Sequence, residues 1–369
     1  MKRFLVLGVG NAQVDLIRAL QGRYEVHACS YIREGPGLPL ADVFAQIDIT
    51  RKEDVLVYCR EQAMDCVYSI GSDVAMPTAS WVSEQLGLPF LVSSSAAIDC
   101  NAKHRFRQLL SGTPFHIRHQ QVTSVDEPLD LPFPVMVKPA DSQGQRGVRA
   151  VGSLKEYKAH LPIALGFSRA GVAIVEELLA GPEISVNTFV SDGQVVFSLI
   201  SDRLTWPNLP GGLVRGHHVP SRTAGPDIQS EIRRLVESVV ERLGIRNGPA
   251  YFQIMVDQGT PKLIEVTPRL DGCHLWRMIL LATGVDLLEL SLEALENRGR
   301  AGIPQARDIE GEWHLDFFCQ PPDTVFHRSA HPVHADSVYH EFFSADGDII
   351  GKMNGYMEKC GYQIIKGTP

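Results

Sequence analysis

The sequence predicts a mixed α/β and α+β protein, with an open parallel sheet first and antiparallel, turn-rich layers after it. Three observations carry this prediction. A strand, glycine turn and helix open the chain, and that unit repeats to about residue 100. From about 101 to 190, short apolar runs alternate with glycine-rich turns. Further on, an amphipathic helix is followed by an antiparallel hairpin near residue 260.

The elements follow in order. Phe4–Leu7 is a short apolar strand, Gly8-Val9-Gly10-Asn11 its turn, and Gln13–Leu20 the helix after it. A dinucleotide fingerprint needs a third glycine at position 13, where Gln13 stands, so this is read as a tight structural turn. Tyr24–Ser30, Cys66–Ile70 and Pro89–Val92 are expected strands, and Lys52–Gln62 and Pro77–Leu86 expected helices. Strands are next expected at Pro134–Lys138, Gly147–Val151 and Ala173–Glu176, then a hairpin of Glu183–Val190 and Gln194–Ile200 around Asp192-Gly193. In Gln229–Leu243 the residues Ile232, Leu235, Val236, Val239, Val240 and Leu243 keep helical spacing. A helical stretch over Leu275–Asn297 should break at Gly284, and the tail beyond Gly299 alternates as strands do.

Composition narrows the function classes. A chain of 369 residues is long enough for two or three domains. With 44% hydrophobic and 21% charged residues it reads as globular, and a net charge of −8 argues against binding a nucleic-acid backbone. The apolar run at Phe4–Leu7 is too short for a signal peptide or a membrane span. Seven cysteines without a C-x-x-C pair predict neither a disulfide framework nor a zinc knuckle, so a cytoplasmic location is expected. His327, His331, His334 and His340 are too irregularly spaced to predict a metal site.

Three segments carry the chemistry. In Phe133–Pro139, Lys138 ends a buried strand, where a cation calls for an anion. The loop Ser142–Val148 then has the glycines to wrap backbone N–H groups around phosphates, against the plain alternative of an ordinary hairpin. In Ile174–Glu183 a strand runs into a short linker suited to an adenine edge, though paired acids such as Glu176-Glu177 are more often simply exposed. In Gln253–Asp257 and Leu263–Arg269, antiparallel pairing places Gln253 beside Glu265, with Glu265 and Thr267 on one face. Oxygen donors beside an arginine suit magnesium and a transferred phosphoryl group.

In this order and spacing the segments resemble the ATP-grasp superfamily. The resemblance implies a doubly wound pre-ATP-grasp domain (1–100), a glycine-loop lid (101–182), a larger catalytic subdomain (183–300) and a strand-rich extension packed on it (301–369). It implies nucleotide contacts from Lys103, Lys138, Ser142, Gln143, Gly144, Gly147, Val148, Glu176, Glu177, Leu178, Leu179 and Glu183. Glu265 matches the shared magnesium ligand, and Gln253 and Thr267 stand where Asp or Glu and Asn are usual, leaving less negative charge on the metal. Arg269, Lys138 and Arg203 are the implied catalytic cations, and Arg215 is a weaker match for a further one.

Substrate contacts are expected from two regions. Ser72 and Asp73, at a strand end of the first domain, either line an acceptor pocket or cap the next helix. Arg215 and His218, and Asp271 and Gly272, either meet a substrate carboxylate or lie in solvated loops. The resemblance implies an ATP-dependent carboxylate–amine ligase using Mg²⁺, with Mn²⁺ as a substitute, small-molecule partners and a homodimer as one assembly. A bicarbonate-dependent carboxylase, a small-molecule kinase and a non-catalytic nucleotide-binding regulator remain alternatives.

Overall fold

The computed structural model describes residues 1–142, 146–209, 212–297, 301–302, 304–353 and 355–367. The first layer grows from the apolar runs at the head of the chain. β1 (Arg3–Leu7), β2 (Glu25–Ser30), β3 (Val43–Gln46) and β4 (Cys66–Tyr68) form a sheet in the order β3-β2-β1-β4. All three pairings are parallel, so β1 is covered on both faces and needs an unbroken apolar run. α1 (Asn11–Leu20) and α2 (Lys52–Glu61) make the crossovers from β1 to β2 and from β3 to β4, and α3 (Ala75–Leu86) follows β4. Gly8 turns the chain at φ 103°. The Gln13 side chain folds back into that turn, its Oε1 accepting from the Gly10 N–H at 2.9 Å and its amide donating to the Ile70 carbonyl. The glutamine side chain thus fills the loop.

Two expectations in this region change. Pro89–Val92 is not a strand: Leu91 and Val92 are buried, but Pro89 has no N–H for a ladder. Ser93 then accepts from the Ala96 N–H at 3.2 Å to start α4 (Ser94–Asn101), which is followed by α5 (Lys103–Leu109). β3, which the sequence did not reveal, is a half-exposed edge strand without alternating burial.

The second layer is an antiparallel sheet of β5 (His119–Val122), β6 (Val135–Pro139), β7 (Arg149–Val151) and β8 (Ala173–Glu177), ordered β5-β8-β6-β7. α6 (Leu154–Phe167) covers it, packing Tyr157, Leu161 and Ala164 against Val135, Val137 and Val175. The third layer is an eight-stranded antiparallel sheet. Its strands are β9 (Glu183–Ser191), β10 (Gln194–Thr205), β11 (Val214–Val219), β12 (Gly248–Asp257), β13 (Thr260–Thr267), β14 (Trp313–Gln320), β15 (Ser337–Phe342) and β16 (Glu358–Lys366). They are ordered β13-β12-β9-β10-β11-β14-β16-β15, so the tail strands continue the same sheet. α7 (Pro226–Arg242) buries the predicted stripe of Ile232, Leu235, Val236, Val239 and Val240. α8 (Leu275–Thr283) and α9 (Leu287–Glu296) are separated at Gly284, which takes φ 77°. No helix among the described residues is long and apolar enough to cross a membrane.

One apolar core runs from Phe4, Val6 and Leu16 through Trp276, Ile279 and Leu292 to Leu315 and Tyr362, joining the first sheet to the third through α8 and α9. A polar knot sits inside it. The Asp15 carboxylate on α1 accepts from Trp276 Nε1 and from Arg277, both at 3.0 Å, with His274 Nδ1 at 3.5 Å. Burial alone would raise the Asp15 pKa, but His274, Arg277 and Trp276 hold it below the ordinary value. Asp15→Ala should therefore lower stability by about 3 kcal/mol, because it strands an indole N–H and a partly buried guanidinium. Urea unfolding at pH 7 measures this.

Candidate functional site

A cavity of about 450 Å³ opens between the second and third sheets. β6 and β8 supply Met136, Lys138 and Glu176, and the linker after β8 supplies Leu178 and Leu179. Lys103 comes from α5, Glu183 and Arg203 from the hairpin, and Gln253 and Glu265 from β12 and β13. Apolar Met136, Val148, Met255 and Ile264 share the wall with the cations Lys103, Lys138, Arg203 and Lys359. Such a wall suits a ligand with a flat apolar part and an anionic part.

The lysine at the end of β6 does meet an anion, and it comes from the neighbouring strand. Met136 pairs with Glu176 across β6 and β8, and Lys138 Nζ donates to Glu176 Oε2 at 2.6 Å. Glu176 Oε1 accepts from Arg107 Nε at 2.7 Å. Arg107 also donates to the carbonyls of Leu263 and Ile264 on β13, the second at 3.0 Å. Arg107 and Glu176 are each 1% exposed and Lys138 8%, so this is a buried cation–anion–cation chain. Burial would raise the Glu176 pKa, yet the adjacent Arg107 and Lys138 hold it far below the ordinary carboxylate range. Glu177 also lines the cavity but is less buried, its carboxylate accepting from Arg118 Nε at 2.8 Å, so Glu176 is the buried member of the acidic pair.

On the third sheet, Glu183 gathers Arg203, which it pairs with, and Gln253, whose Nε2 donates to it at 2.7 Å. Arg203 also donates to the Gly212 carbonyl at 3.1 Å. Gln253 and Glu265 are register partners across β12 and β13, and Glu265 lies 3.8 Å from Lys103 Nζ. Thr267 is buried, and its Oγ1 has no hydrogen-bond partner. Glu265, the side-chain oxygen of Gln253 and that orphaned hydroxyl fit a magnesium ion held by one carboxylate together with ligand phosphates.

Next to Glu265 the site reaches the first sheet. Arg269 donates through Nε to Asp73 Oδ1 at 2.7 Å and through Nη1 to the Leu270 carbonyl at 2.9 Å. The Gly71 N–H donates to the same Leu270 carbonyl at 3.2 Å. Asp73 thus binds an arginine rather than capping α3, which has no side-chain cap. Burial raises the Asp73 pKa despite Arg269 beside it. Asp271 spends its Oδ1 on the N–H groups of Cys273 and Leu275 at the head of α8, at 2.6 and 3.3 Å. Gly272 lies against Gly71. Ser72 precedes Asp73 in the same half-buried turn.

Arg215 and His218 sit differently from the expected substrate loop. They lie on β11, where Arg215 is exposed and His218 is 3% exposed. Because alternate strand residues face opposite ways, His218 pairs with Asp202 and points away from Arg203, whose register partner is His217. Gln143 and Gly144 lie outside the described residues. Of the loop residues beside them, the Ser142 carbonyl lies 3.4 Å from Lys103 Nζ and Val148 lines the cavity. The Gly147 carbonyl is 3.0 Å from His160 Nε2.

Several residues escaped the sequence reading. Arg107 follows Lys103 by one helical turn, a spacing that any amphipathic helix shows. Lys359 comes from β16, with Nζ 3.4 Å from Cys273 Sγ and over the Phe317 ring at 3.7 Å. His217 is fully buried, and burial, Arg203 and Lys359 together keep it uncharged well below its ordinary pKa.

Residues 131–275 match the ATP-grasp domain family. The ATP-grasp enzyme fsqD of Aspergillus fumigatus is 34% identical over 144 residues, covering 37% of this chain and 25% of that protein. The carbamoyl phosphate synthase large chain of Neisseria meningitidis serogroup B is 25% identical over 276 residues, covering 72% of this chain and 25% of that protein. The chain thus spans about a quarter of the length of these curated relatives. The crystal structure of an L-amino acid ligase from Bacillus licheniformis superposes with a TM-score of 0.78 at 20% identity, covering 100% of this chain and 94% of that one, and this likeness shows the fold.

The buried chain of charges predicts a pH signature. Glu176→Gln leaves Arg107 and Lys138 with a neutral partner and should lower stability at pH 7 by about 3 kcal/mol. Because the folded-state pKa of Glu176 is depressed, its contribution is complete above the unfolded value of about 4.3 and is lost as pH falls through the folded value. The gap between wild type and Glu176→Gln should stay constant from pH 7 to about 5 and narrow below about 4, as urea titrations across pH will read.

Proposed function

We propose that this chain, an ATP-grasp protein by its fold and by its domain over residues 131–275, is an ATP-dependent ligase that joins a small carboxylate to an amine. The observation that carries the reading is one cavity where Lys103, Lys138 and Arg203 stand opposite Glu265, with Arg269 and Asp73 next to it. In the proposed reaction a substrate carboxylate oxygen attacks the γ-phosphorus, the bond to the β-phosphate bridging oxygen breaks, and ADP leaves. The amine nitrogen then attacks the acyl carbon, phosphate leaves with the electron pair of its C–O bond, and the nitrogen loses a proton.

This chain's part in such a reaction is positioning and charge compensation. Lys138, held by Glu176, presents a fixed positive charge to phosphate oxygens. Arg203 is oriented by Glu183 and the Gly212 carbonyl, and Arg269 by Asp73 and the Leu270 carbonyl. Met136, Val148 and Ile264 supply the apolar wall for a base. Glu265, with Gln253 and Thr267, would hold a Mg²⁺ ion, which would supply positive charge to the phosphates. The match of residues 131–275 to the ATP-grasp domain family supports ATP as the co-substrate.

One observation favours a second reading, a nucleotide-binding regulator with little turnover. Gln253 and Thr267 leave Glu265 as the single carboxylate of the expected metal set, and Gln253 already donates to Glu183.

Purified chain should release ADP and phosphate with one class of acid–amine pair, screened over amino, hydroxy and sugar acids with mass detection of the product. Lys138→Ala and Glu265→Ala should each reduce kcat by about 100-fold or more while keeping a native circular dichroism spectrum. ADP release that needs only bicarbonate would replace ligation by carboxylation, and a stable phosphorylated product would make the protein a kinase. Tight ATP binding with no cleavage across the panel would leave the regulator.

A further inference from the structure

The face of the large sheet turned away from the nucleotide cavity carries an unused cluster. His218 on β11 and His314 on β14 are direct register partners, with ring centroids 4.6 Å apart. Glu312, just before β14, lies beside both: its Oε2 is 3.8 Å from His218 Nε2 and 4.0 Å from His314 Nε2. One ligand atom from each of the three lies within 4.8 Å of the others. We propose that His218, Glu312 and His314 bind a zinc-class divalent metal ion at a site separate from the nucleotide cavity.

The buried nitrogens are the independent sign of a ligand. His218 is 3% exposed and His314 6%. Neither ring nitrogen of His218 has a hydrogen-bond partner, and neither does Nε2 of His314. Buried polar atoms are almost always satisfied, because an orphan forfeits its hydration without return. Three orphaned nitrogens in two facing rings, two of them turned to one carboxylate oxygen, are what a shared cation resolves.

The geometry fits such an ion. Zinc holds imidazole nitrogen and carboxylate oxygen at about 2.0–2.1 Å, so tetrahedral ligand atoms stand about 3.4 Å apart. The Glu312 distances of 3.8 and 4.0 Å, with all three ligand atoms within 4.8 Å of one another, reach this spacing by side-chain rotation. Two imidazoles and one carboxylate leave a fourth position for water and favour zinc over magnesium or calcium, which prefer all-oxygen sets.

A carboxylate already stands behind His218. Asp202 Oδ2 lies 3.6 Å from His218 Nδ1, where a carboxylate behind a metal-bound histidine fixes its tautomer. Asp202 is itself held by Ser221 Oγ at 2.5 Å and by the N–H groups of Arg222 and Thr223 at 2.7 and 3.2 Å. Arg222 Nη2 touches both Glu312 oxygens, at 2.7 and 2.6 Å, and can stay on Oε1 while Oε2 turns to the ion. Glu312 has a side chain 35% exposed, which gives the ion a way in from solvent.

Zinc chloride alone, titrated into the chelator-stripped full chain against a chromophoric chelator, should show one equivalent bound per chain, unchanged by millimolar Mg²⁺. Glu312→Ala and His314→Gln should each weaken binding at least tenfold, and zinc should raise the Tm of wild type but of neither variant. X-ray absorption of the zinc-loaded wild type, which depends on no variant folding, should show two imidazoles in the metal shell. Substoichiometric binding, wild-type affinity in both variants, or a shell without paired imidazoles would overturn the site.

Discussion

The buried chain from Arg107 through Glu176 to Lys138 is the constraint on which the rest of the cavity depends. Neither cation could sit at 1% and 8% exposure without the carboxylate between them. The carboxylate in turn has its place because β6 and β8 are neighbours in the second sheet. Arg107 extends the chain to the backbone of β13, the strand that also carries Glu265. One guanidinium therefore sets the distance between the lysine of one sheet and the carboxylate of the other. The two walls are registered by electrostatics where no strand pairing joins them.

The third sheet keeps two sets of polar side chains apart by the simplest device a strand has. Consecutive residues face opposite ways, so Arg203 lies on the cavity face with His217 as its register partner, while Asp202 and His218 lie on the other face. A slip of one residue between β10 and β11 would take His218 from its place opposite Asp202. The register is anchored outside the ladder, because Asp202 also binds the backbone of Arg222 and Thr223.

Local pattern made much of this architecture legible and left the long-range contacts dark. The stripe of Ile232, Leu235 and Val239, the Gly284 break and the pairing of Gln253 with Glu265 all follow from periodicities within a few residues. Lys138 could be read as needing an anion because its strand is apolar, but Glu176 was legible only as half of an ambiguous acidic pair. Arg107 and Lys359 lie far along the chain from their partners, and nothing near them distinguishes a buried cation from a surface one. β11 was hidden for another reason. Arg215-Gly216-His217-His218 has no apolar alternation, and Gly216 sits there because a Cβ would come within 2.6 Å of the Leu315 carbonyl on β14.

Net charge and local charge can now be reconciled. A protein with a formal charge of −8 concentrates Lys103, Lys138, Arg203 and Arg269 around one cavity, and each has its own carboxylate: Glu265, Glu176, Glu183 and Asp73. Pairing is what makes the cluster tolerable before an anionic ligand arrives, since four like charges in a partly desolvated space would repel strongly. The pairs are not equally tight. Lys138 is 2.6 Å from Glu176 with Arg107 on the far oxygen, whereas Lys103 stands 3.8 Å from Glu265. The Lys103–Glu265 contact is therefore the loosest of the four, whereas Glu176 is held by two cations at once.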